Sequence, residues 1–595
     1  MDQYLTILGS SALSDFRRRL VVERLGIDDV RARYVHYVAL YGNRDGNVPN
    51  YDTEALNQLL AYGDQTFEES AADEADITTL FVTPRVGTIS PWSSKATSIS
   101  QVCGFGDAIK RIERGTIITI TSKNEYDTKI AARLLHDEMT ETLQDHLPDL
   151  EEMFAEGTPT PAKIISLFEK DSDPRQALQE ANKTLGLALD ESEIEYLIDA
   201  YRTLDRSPLD TELFMFAQVN SEHCRHKQFN ASWTIDGAKK PHSLFQMIRE
   251  THKRNPNHVI SAYSDNAAVL EGTRGSFWSP SVYTGEWKQT HESVHFLAKV
   301  ETHNHPTAVS PFPGAATGTG GEIRDEGAVG RGSKPKAGLC GFSVSDLLIP
   351  GFEQPWERDE GKPAYIASAL DIMLEAPIGS AAFNNEFGRP CITGYFRTLL
   401  TAVPIGDGRT EIRGYHKPIM LAGGVGTIRP TQALKDPSVV EPGSFIIVLG
   451  GPAMLIGLGG GAASSLSSGQ GSEALDFASV QRGNAEVQRR AQEVIDACRA
   501  MGADNPIKFI HDVGAGGLSN ALPELVHDAA LNGATFELRE IDNADRGMSP
   551  MQIWCCEAQE RYVINVSQDG LNRFKLIASR ERYVFPQSAY REPLG

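Results

Sequence analysis

One strand ending constrains this chain more than any other feature. The apolar run Phe296-Leu297-Ala298-Lys299-Val300 leads straight into Glu301-Thr302-His303-Asn304-His305-Pro306. A buried strand that ends in a carboxylate and two histidines suits an α/β sheet, where ligand sites gather at the carboxyl ends of strands. Glu301 is an oxygen ligand of the kind magnesium prefers. His303 suits proton transfer or contact with a phosphate. The letters His-Asn-His also spell a nuclease motif. The 57 basic against 79 acidic residues and the net charge of −22 argue against a general nucleic-acid binder, because such a surface must neutralise phosphates.

A glycine-rich stretch follows closely: Gly314-Ala315-Ala316-Thr317-Gly318-Thr319-Gly320-Gly321-Glu322-Ile323-Arg324-Asp325. It reads as a loop whose backbone N–H groups wrap a phosphate, against a flexible hairpin as the plain alternative. Thr317 and Thr319 would add hydroxyls. Arg324 would grip phosphate, and Asp325 would hold the accompanying magnesium. It is neither a Walker loop, since no Gly-Lys-Ser/Thr follows, nor a dinucleotide fingerprint.

Other polar clusters stand elsewhere. Ser221-Glu222-His223-Cys224-Arg225-His226-Lys227 follows the apolar run Leu213-Phe214-Met215-Phe216-Ala217-Gln218-Val219. His223 could move a proton and the cations could hold anions; a solvated loop is the alternative. Zinc is disfavoured there because no second ligand pair lies at finger spacing. His511-Asp512-Val513-Gly514-Ala515-Gly516-Gly517 runs strand, acid, turn, helix. The helix N-terminus favours an anion and Asp512 stands where a metal ligand would, unless it merely caps. Gln481-Arg482-Gly483-Asn484 could bind substrate or supply Asn484 as an N-cap. Glu557-Ala558-Gln559-Glu560-Arg561 leads into a strand. The glycines of 457–466 suit either a phosphate or close packing.

At 595 residues, the chain should hold about four structural units. Residues 1–150 mix strands (RYVHYVAL, GTIITIT) with amphipathic helix, including one long helix over NEYDTKIAARLLHDEMTETL. An acidic, then Pro/Thr-rich stretch reads as a linker. Residues 165–215 read as helical, with Asp190 and Glu193 as N-cap and capping-box partner. A second α/β block begins near Ser444. Seven scattered cysteines with no CxxC pair suit reduced thiols in a cytosolic enzyme. No secretory signal and no membrane span are expected.

Read together, FAQVNSEHCRHKQFNASWTIDG, KVETHNHPTAVSPFPGAATGTGGEIRDEGAVGRGSKPKAGL, FNNEFGRPCITGYFRT, VQRGNAEVQRRAQEVIDAC, HDVGAGGLSNALPE and EAQERYV, from Phe216 to Val563, resemble the large-type phosphoribosylformylglycinamidine synthases, or formylglycinamide ribonucleotide amidotransferases. The resemblance implies a multidomain α+β/α/β fold. Its parts would be a PurS-like domain (1–160), a helical linker domain (161–228), and an aminoimidazole ribonucleotide synthetase-like unit in two halves (229–436 and 437–595). It implies ATP-dependent conversion of formylglycinamide ribonucleotide, with ammonia, to the amidine through a phosphorylated amide, with ATP and Mg2+ as cofactors.

By the same resemblance His303 is the proton acceptor and His223 the second active-site histidine. Thr302, Asn304, His305, Arg324, Gln481, Glu557 and Gln559 fall on substrate positions, Thr393, Gly394 and Tyr395 on a nucleotide contact, and Glu301, Asp325 and Asp512 on magnesium positions. The family's second synthetase-like unit and glutaminase are not matched. The expectation is therefore no glutamine hydrolysis by this chain, ammonia supplied from outside it, and pairing with a second unit or a second copy.

Overall fold

The structure is a computed structural model that describes residues 3–42, 50–64, 76–169, 172–281, 283–363, 365–459, 480–558 and 560–583. It divides into two compact units, one of residues 1–160 with 543–548, the other of 161–542 with 549–595.

The first unit is built on an antiparallel sheet. Its strands are β1 (Gln3–Ser11), β2 (Asp29–Leu40), β3 (Ile77–Pro84), β4 (Ile109–Thr121) and β5 (Glu141–Gln144), in the order β1-β2-β4-β3-β5. Alternation in β2 and β4 sends Val30, Ala32, Ile118 and Ile120 into one core with Val21 of α1 (Asp15–Leu25). The periodic segment after Asn124 does not form one long helix. Only α2 (Thr128–Leu135) is helical. His136 leaves the helical region, with φ −148° and ψ 164°, and Glu141–Gln144 then pairs with β3. Hydrogen bonding along a sheet edge outweighs the local helical pattern. The acidic segment gives α3 (Leu150–Phe154), which buries Met153 and Phe154 in this unit.

The second unit opens with α4 (Pro174–Leu185), α5 (Glu191–Thr203) and α6 (Asp210–Val219). The capping box is present: Asp190 accepts from the Glu193 N–H, and Glu193 accepts from the Asp190 N–H. Leu213, Phe214 and Ala217 of α6 pack in one core with Phe509, Val563 and Leu522 of the second half.

A mixed six-stranded sheet carries the strand ending described above. Its strands are β6 (Val259–Ser261), β7 (Ala268–Leu270), β8 (His295–Thr302), β9 (Lys334–Val344), β10 (Cys391–Thr398) and β11 (Ile419–Ile428), in the order β10-β9-β11-β8-β7-β6. Two helices, α7 (Pro311–Gly327) and α8 (Ala369–Phe387), cover one face; Ala315 and Ala376 pack there on Phe342, Met420 and Ala422. On the opposite face Phe296, Val300 and Val425 are about half exposed, at 50, 59 and 49 %.

A smaller sheet, β12 (Phe445–Gly450), β13 (Ile507–Asp512) and β14 (Arg561–Val566) in the order β12-β14-β13, completes the unit. It is flanked by α9 (Ala485–Ala500), α10 (Leu518–Asp528) and α11 (Leu571–Arg580). No described helix is long and apolar enough to cross a membrane.

The glycine-rich stretch is the main correction to the sequence reading. Gly314 to Asp325 is not a loop but the body of α7, most of it buried. Glycine is a poor helix former, by about 1 kcal/mol against alanine. Here close packing decides. A Cβ on Gly314 would stand 2.5 Å from the Pro306–Thr307 backbone, one on Gly318 2.6 Å from the His303 Cβ, and one on Gly320 2.7 Å from the Phe383 ring. The backbone amides of this stretch are held in the helix ladder, so they do not form a phosphate cradle. Gly318→Ala tests this. Its helix gain of about 1 kcal/mol should lose to overpacking of about 1–3 kcal/mol, so urea unfolding should show net destabilisation. A stabilised variant would contradict the packing argument.

Candidate active site

Period-two alternation along β8 puts Leu297, Lys299 and Glu301 on the sheet face that α7 covers. Lys299 Nζ ion-pairs with Asp325 Oδ2 of α7 and lies 3.8 Å from Glu301 Oε2. Asp512, at the end of β13, bonds directly to Asp325 and accepts from Asn266 Nδ2 at 2.7 Å. The chain thus brings Glu301, Asp325 and Asp512 together around one lysine, from three separate stretches of sequence.

The electrostatics follow from this crowding. Burial pushes the Asp325 carboxyl up; Lys299 opposes and Glu301 adds to it, leaving about 6. Burial and the neighbouring Asp325 raise Asp512 to about 7. Glu301 is also raised, first by burial. Burial works against the Lys299 ammonium, but Asp325 and Glu301 outweigh it and raise it. Oxygen donors of this density suit a hard divalent cation, which would offset their repulsion. Among the described residues, the His/Asp/Glu group whose ligand atoms close to within 4.8 Å is a different one, His511, Glu524 and Asp528. There the His511 ring is already engaged by Asp528 at 3.1 Å and Lys435 at 3.4 Å.

His303 sits where β8 ends. Its backbone N–H donates to Met420 O at 2.9 Å, and its Nδ1 lies 2.7 Å from Gly314 O. A carbonyl only accepts, so Nδ1 carries the proton and Nε2 is the acceptor nitrogen. Burial holds the ring down at about 4, with Arg324 and His223 adding to that and the Gly314 bond opposing it. Asn304 is tied to the sheet: its Oδ1 accepts from Met420 N at 3.1 Å, and its Nδ2 donates to Thr302 Oγ1 at 3.3 Å. His305 stands close enough to act on the His303 charge.

The Ser221–Lys227 segment reaches this cluster. The His223 charge acts on His303, and the Cys224 thiol is raised by burial and by Glu301 and Asp325. Cys224 and Arg225 both hold left-handed backbone, φ 59° and 57°. Left-handed backbone costs non-glycine residues of order 1–3 kcal/mol each.

Several expected contacts are narrowed. The Thr317 hydroxyl donates to Pro313 O at 2.8 Å, and Thr319 Oγ1 bonds Ser380 Oγ at 2.7 Å, so both hydroxyls serve packing. Arg324 is buried and donates to Gln488 Oε1 at 2.9 Å. Gln481 Nε2 donates to Glu557 Oε2 at 2.5 Å, and Glu557 Oε1 accepts from Gly516 N at 3.0 Å. Asn484 caps α9 through Val487 N, as the plain alternative had it. Asp512 does not cap α10, whose first turn is preceded by Gly517 without a side-chain cap. Thr393, Gly394 and Tyr395 lie on the edge strand β10. There a Cβ on Gly394 would fall 1.9 Å from Cys340 O, which reserves the position for glycine. Gln559 and residues 460–466 lie outside the described residues.

Sequence reasoning missed a buried clamp behind the cluster. Arg389 Nη2 meets Glu322 Oε2 at 2.5 Å, Nη1 meets Glu326 Oε2 at 2.9 Å, and Nε donates to Asn384 Oδ1 at 3.1 Å. Lys299 was missed too, although its place two residues before Glu301 put both on one strand face.

Three family models match the chain. The formylglycinamide ribonucleotide amidotransferase N-terminal model covers residues 33–154, the linker-domain model of the same enzyme covers 178–227, and the AIR synthase related protein C-terminal domain covers 441–586. A phosphoribosylformylglycinamidine synthase of Schizosaccharomyces pombe is 57% identical over 97% of this chain and 44% of that protein. One of Saccharomyces cerevisiae is 55% identical over 98% of this chain and 45% of that protein. The chain belongs to the formylglycinamide ribonucleotide amidotransferase family.

It spans less than half the length of these amidotransferase relatives. Among solved structures, a Thermotoga maritima PurL complexed with FGAR matches 66% of this chain and 50% of its own at 23% identity, with a TM-score of 0.44. The same protein complexed with ATP matches 65% and 49% at 22% identity, with a TM-score of 0.40.

Proposed function

We propose that this chain carries the ATP-dependent amidine-forming centre of the amidotransferase family. The reaction would join ammonia to formylglycinamide ribonucleotide by way of a phosphorylated amide. The observation that carries the reading is the placing of a neutral His303, with Nδ1 anchored and Nε2 accepting, beside the Lys299–Glu301–Asp325–Asp512 cluster. The relatives' names supply the reaction and the Thermotoga complexes the ligands, FGAR and ATP.

In this reading the amide oxygen takes the terminal phosphoryl group of ATP, which turns a poor leaving group into phosphate. Ammonia then attacks the amide carbon. His303 Nε2 accepts the proton that the attacking nitrogen loses. Lys299 and Arg324 offset negative charge on the phosphates, and His223 closes over the intermediate. Glu301, Asp325 and Asp512 would hold Mg2+, which when bound neutralises triphosphate charge. Thr302, Asn304, His305, Gln481, Glu557 and Gln559 would hold the ribonucleotide, and Thr393, Gly394 and Tyr395 the nucleotide base.

The test is an assay of purified chain with ATP, formylglycinamide ribonucleotide and either ammonium or glutamine. Substrate-dependent ADP release with ammonium and none with glutamine is expected. ADP release indifferent to the ribonucleotide would refute the reading. Asp325→Asn should weaken Mg-ATP binding by about tenfold or more, the loss of one charge-assisted contact of about 1.5–3 kcal/mol. Calorimetry showing unchanged affinity would remove Asp325 from the metal set.

A second reading is a catalytically incomplete nucleotide-binding part of that enzyme. The half-exposed Phe296, Val300 and Val425 favour it, since such a sheet face suits a second synthetase-like unit or a second copy. ATP binding with no turnover at any ammonium concentration would decide for it.

A further inference from the structure

The edge strand β10 begins with a cysteine whose placing the proposed chemistry does not use. Cys391 pairs with Gly338 of β9, and Cys340 pairs with Gly394. Residues 338 and 340 share a strand face, so Cys391 and Cys340 are diagonal neighbours on that face. One extra residue, Ile392, kinks β10 just beyond Cys391. The Cys391 Sγ donates to the Cys340 Sγ at 4.0 Å and also reaches Thr393 O at 3.9 Å. Both thiols are free; Cys391 is exposed and Cys340 half-buried.

We propose that Cys340 and Cys391 form an oxidisable dithiol, a modification site that small disulfides convert to an internal disulfide. Closure would bring the two sulfurs from 4.0 Å to the covalent separation of about 2.05 Å. The Cys391 S–H and the Ser380 hydroxyl lower the Cys340 thiol, while donation to Cys340 and burial raise Cys391. Cys340 is therefore the sulfur that more readily becomes the thiolate from which attack begins.

The step balances. The Cys340 thiolate attacks one sulfur of a disulfide RSSR, forming a mixed disulfide and releasing RS⁻. Cys391 gives up its proton and attacks Cys340 Sγ, releasing the second RS⁻. Two protein thiols lose two electrons and, through solvent, two protons, and RSSR leaves as two RSH. Ser380 also bonds Thr319 of α7, so the modification lies within two hydrogen bonds of the helix that carries Arg324 and Asp325.

The experiment treats the full chain with glutathione disulfide, quenches with iodoacetamide and maps cysteine peptides by mass spectrometry. The expected product links the Cys340 and Cys391 peptides without bound glutathione. Cys340→Ser and Cys391→Ser should each hold a glutathione adduct on the remaining cysteine, since no partner is left to resolve it. Wild-type chain that carries glutathione on Cys340 or Cys391 with no link, or that leaves both alkylated once exposed Cys103 has reacted, overturns the proposal.

Discussion

Arg389→Met should lower the unfolding free energy by about 3–5 kcal/mol, the cost of leaving buried charge without its partner. Arg389 is 2 % exposed, and the carboxyl groups of Glu322 and Glu326 are fully buried. The guanidinium has room only because its neighbours are glycines: a Cβ on Gly338 or Gly424 would stand 2.5 Å from it. Two acids share one guanidinium. Burial raises both, and Glu322 raises Glu326 further. Glu326, raised by burial and by its partner, is the carboxyl expected to carry a shared proton. Glu326→Gln keeps the shape and the neutral state, so at neutral pH it should fall within about 1 kcal/mol of wild type.

The pH dependence separates the two variants. A carboxyl raised in the folded state stabilises fully below its unfolded value of 4.5 and loses that contribution as pH climbs toward the folded value. Glu326→Gln lacks this loss, so its stability relative to wild type should improve from pH 5 to 8. Arg389→Met should worsen over the same range, because its two acids are then ionising without a counter-charge. Urea midpoints at several pH values would check both trends. Equal damage from the two variants would show that Glu326 is ionised and the shared proton is wrong.

Much of the frame was legible in the sequence because it rests on local periodicity. Short β-like and apolar runs marked β2, β4 and β8, and the Asp190–Glu193 spacing marked the start of α5. The line from Glu301 to His303 was legible as a strand running out into polar side chains. What failed shares one physical cause. Gly314 to Gly321 reads locally as a loop, since glycine disfavours helix. Its helix exists because His303, Phe383 and the Pro306 backbone approach too closely for any Cβ. Those neighbours come from other segments and leave no local trace. Arg389 was unreadable for the same reason: Gly388-Arg389-Pro390 looks like a turn, and its partners appear only once β9, β11 and α7 are in register. The split after Leu135 depended on β3 being free to accept another strand.

His303→Ala should reduce turnover by about 10²–10⁴-fold, the usual contribution of a positioned proton acceptor, with ATP affinity and thermal midpoint little changed. The ring is fixed from three sides: its backbone N–H bonds Met420 O, its Nδ1 bonds Gly314 O, and Gly318 lies against its Cβ. Alanine keeps the first of these, so the end of β8 should hold. Burial keeps the imidazole down at about 4, so the ring is neutral from about pH 5 upward and Nε2 keeps its lone pair. His303 should then contribute no acid limb near 6.5. If the ring is the acceptor, its loss lowers the plateau of the pH–rate profile without moving a limb at that pH. A variant within a few-fold of wild type would remove His303 from the chemistry. A wild-type limb near 6.5 that vanishes in the variant would instead show that the ring titrates as an exposed histidine does, and that the Gly314 anchor does not hold it in the neutral form.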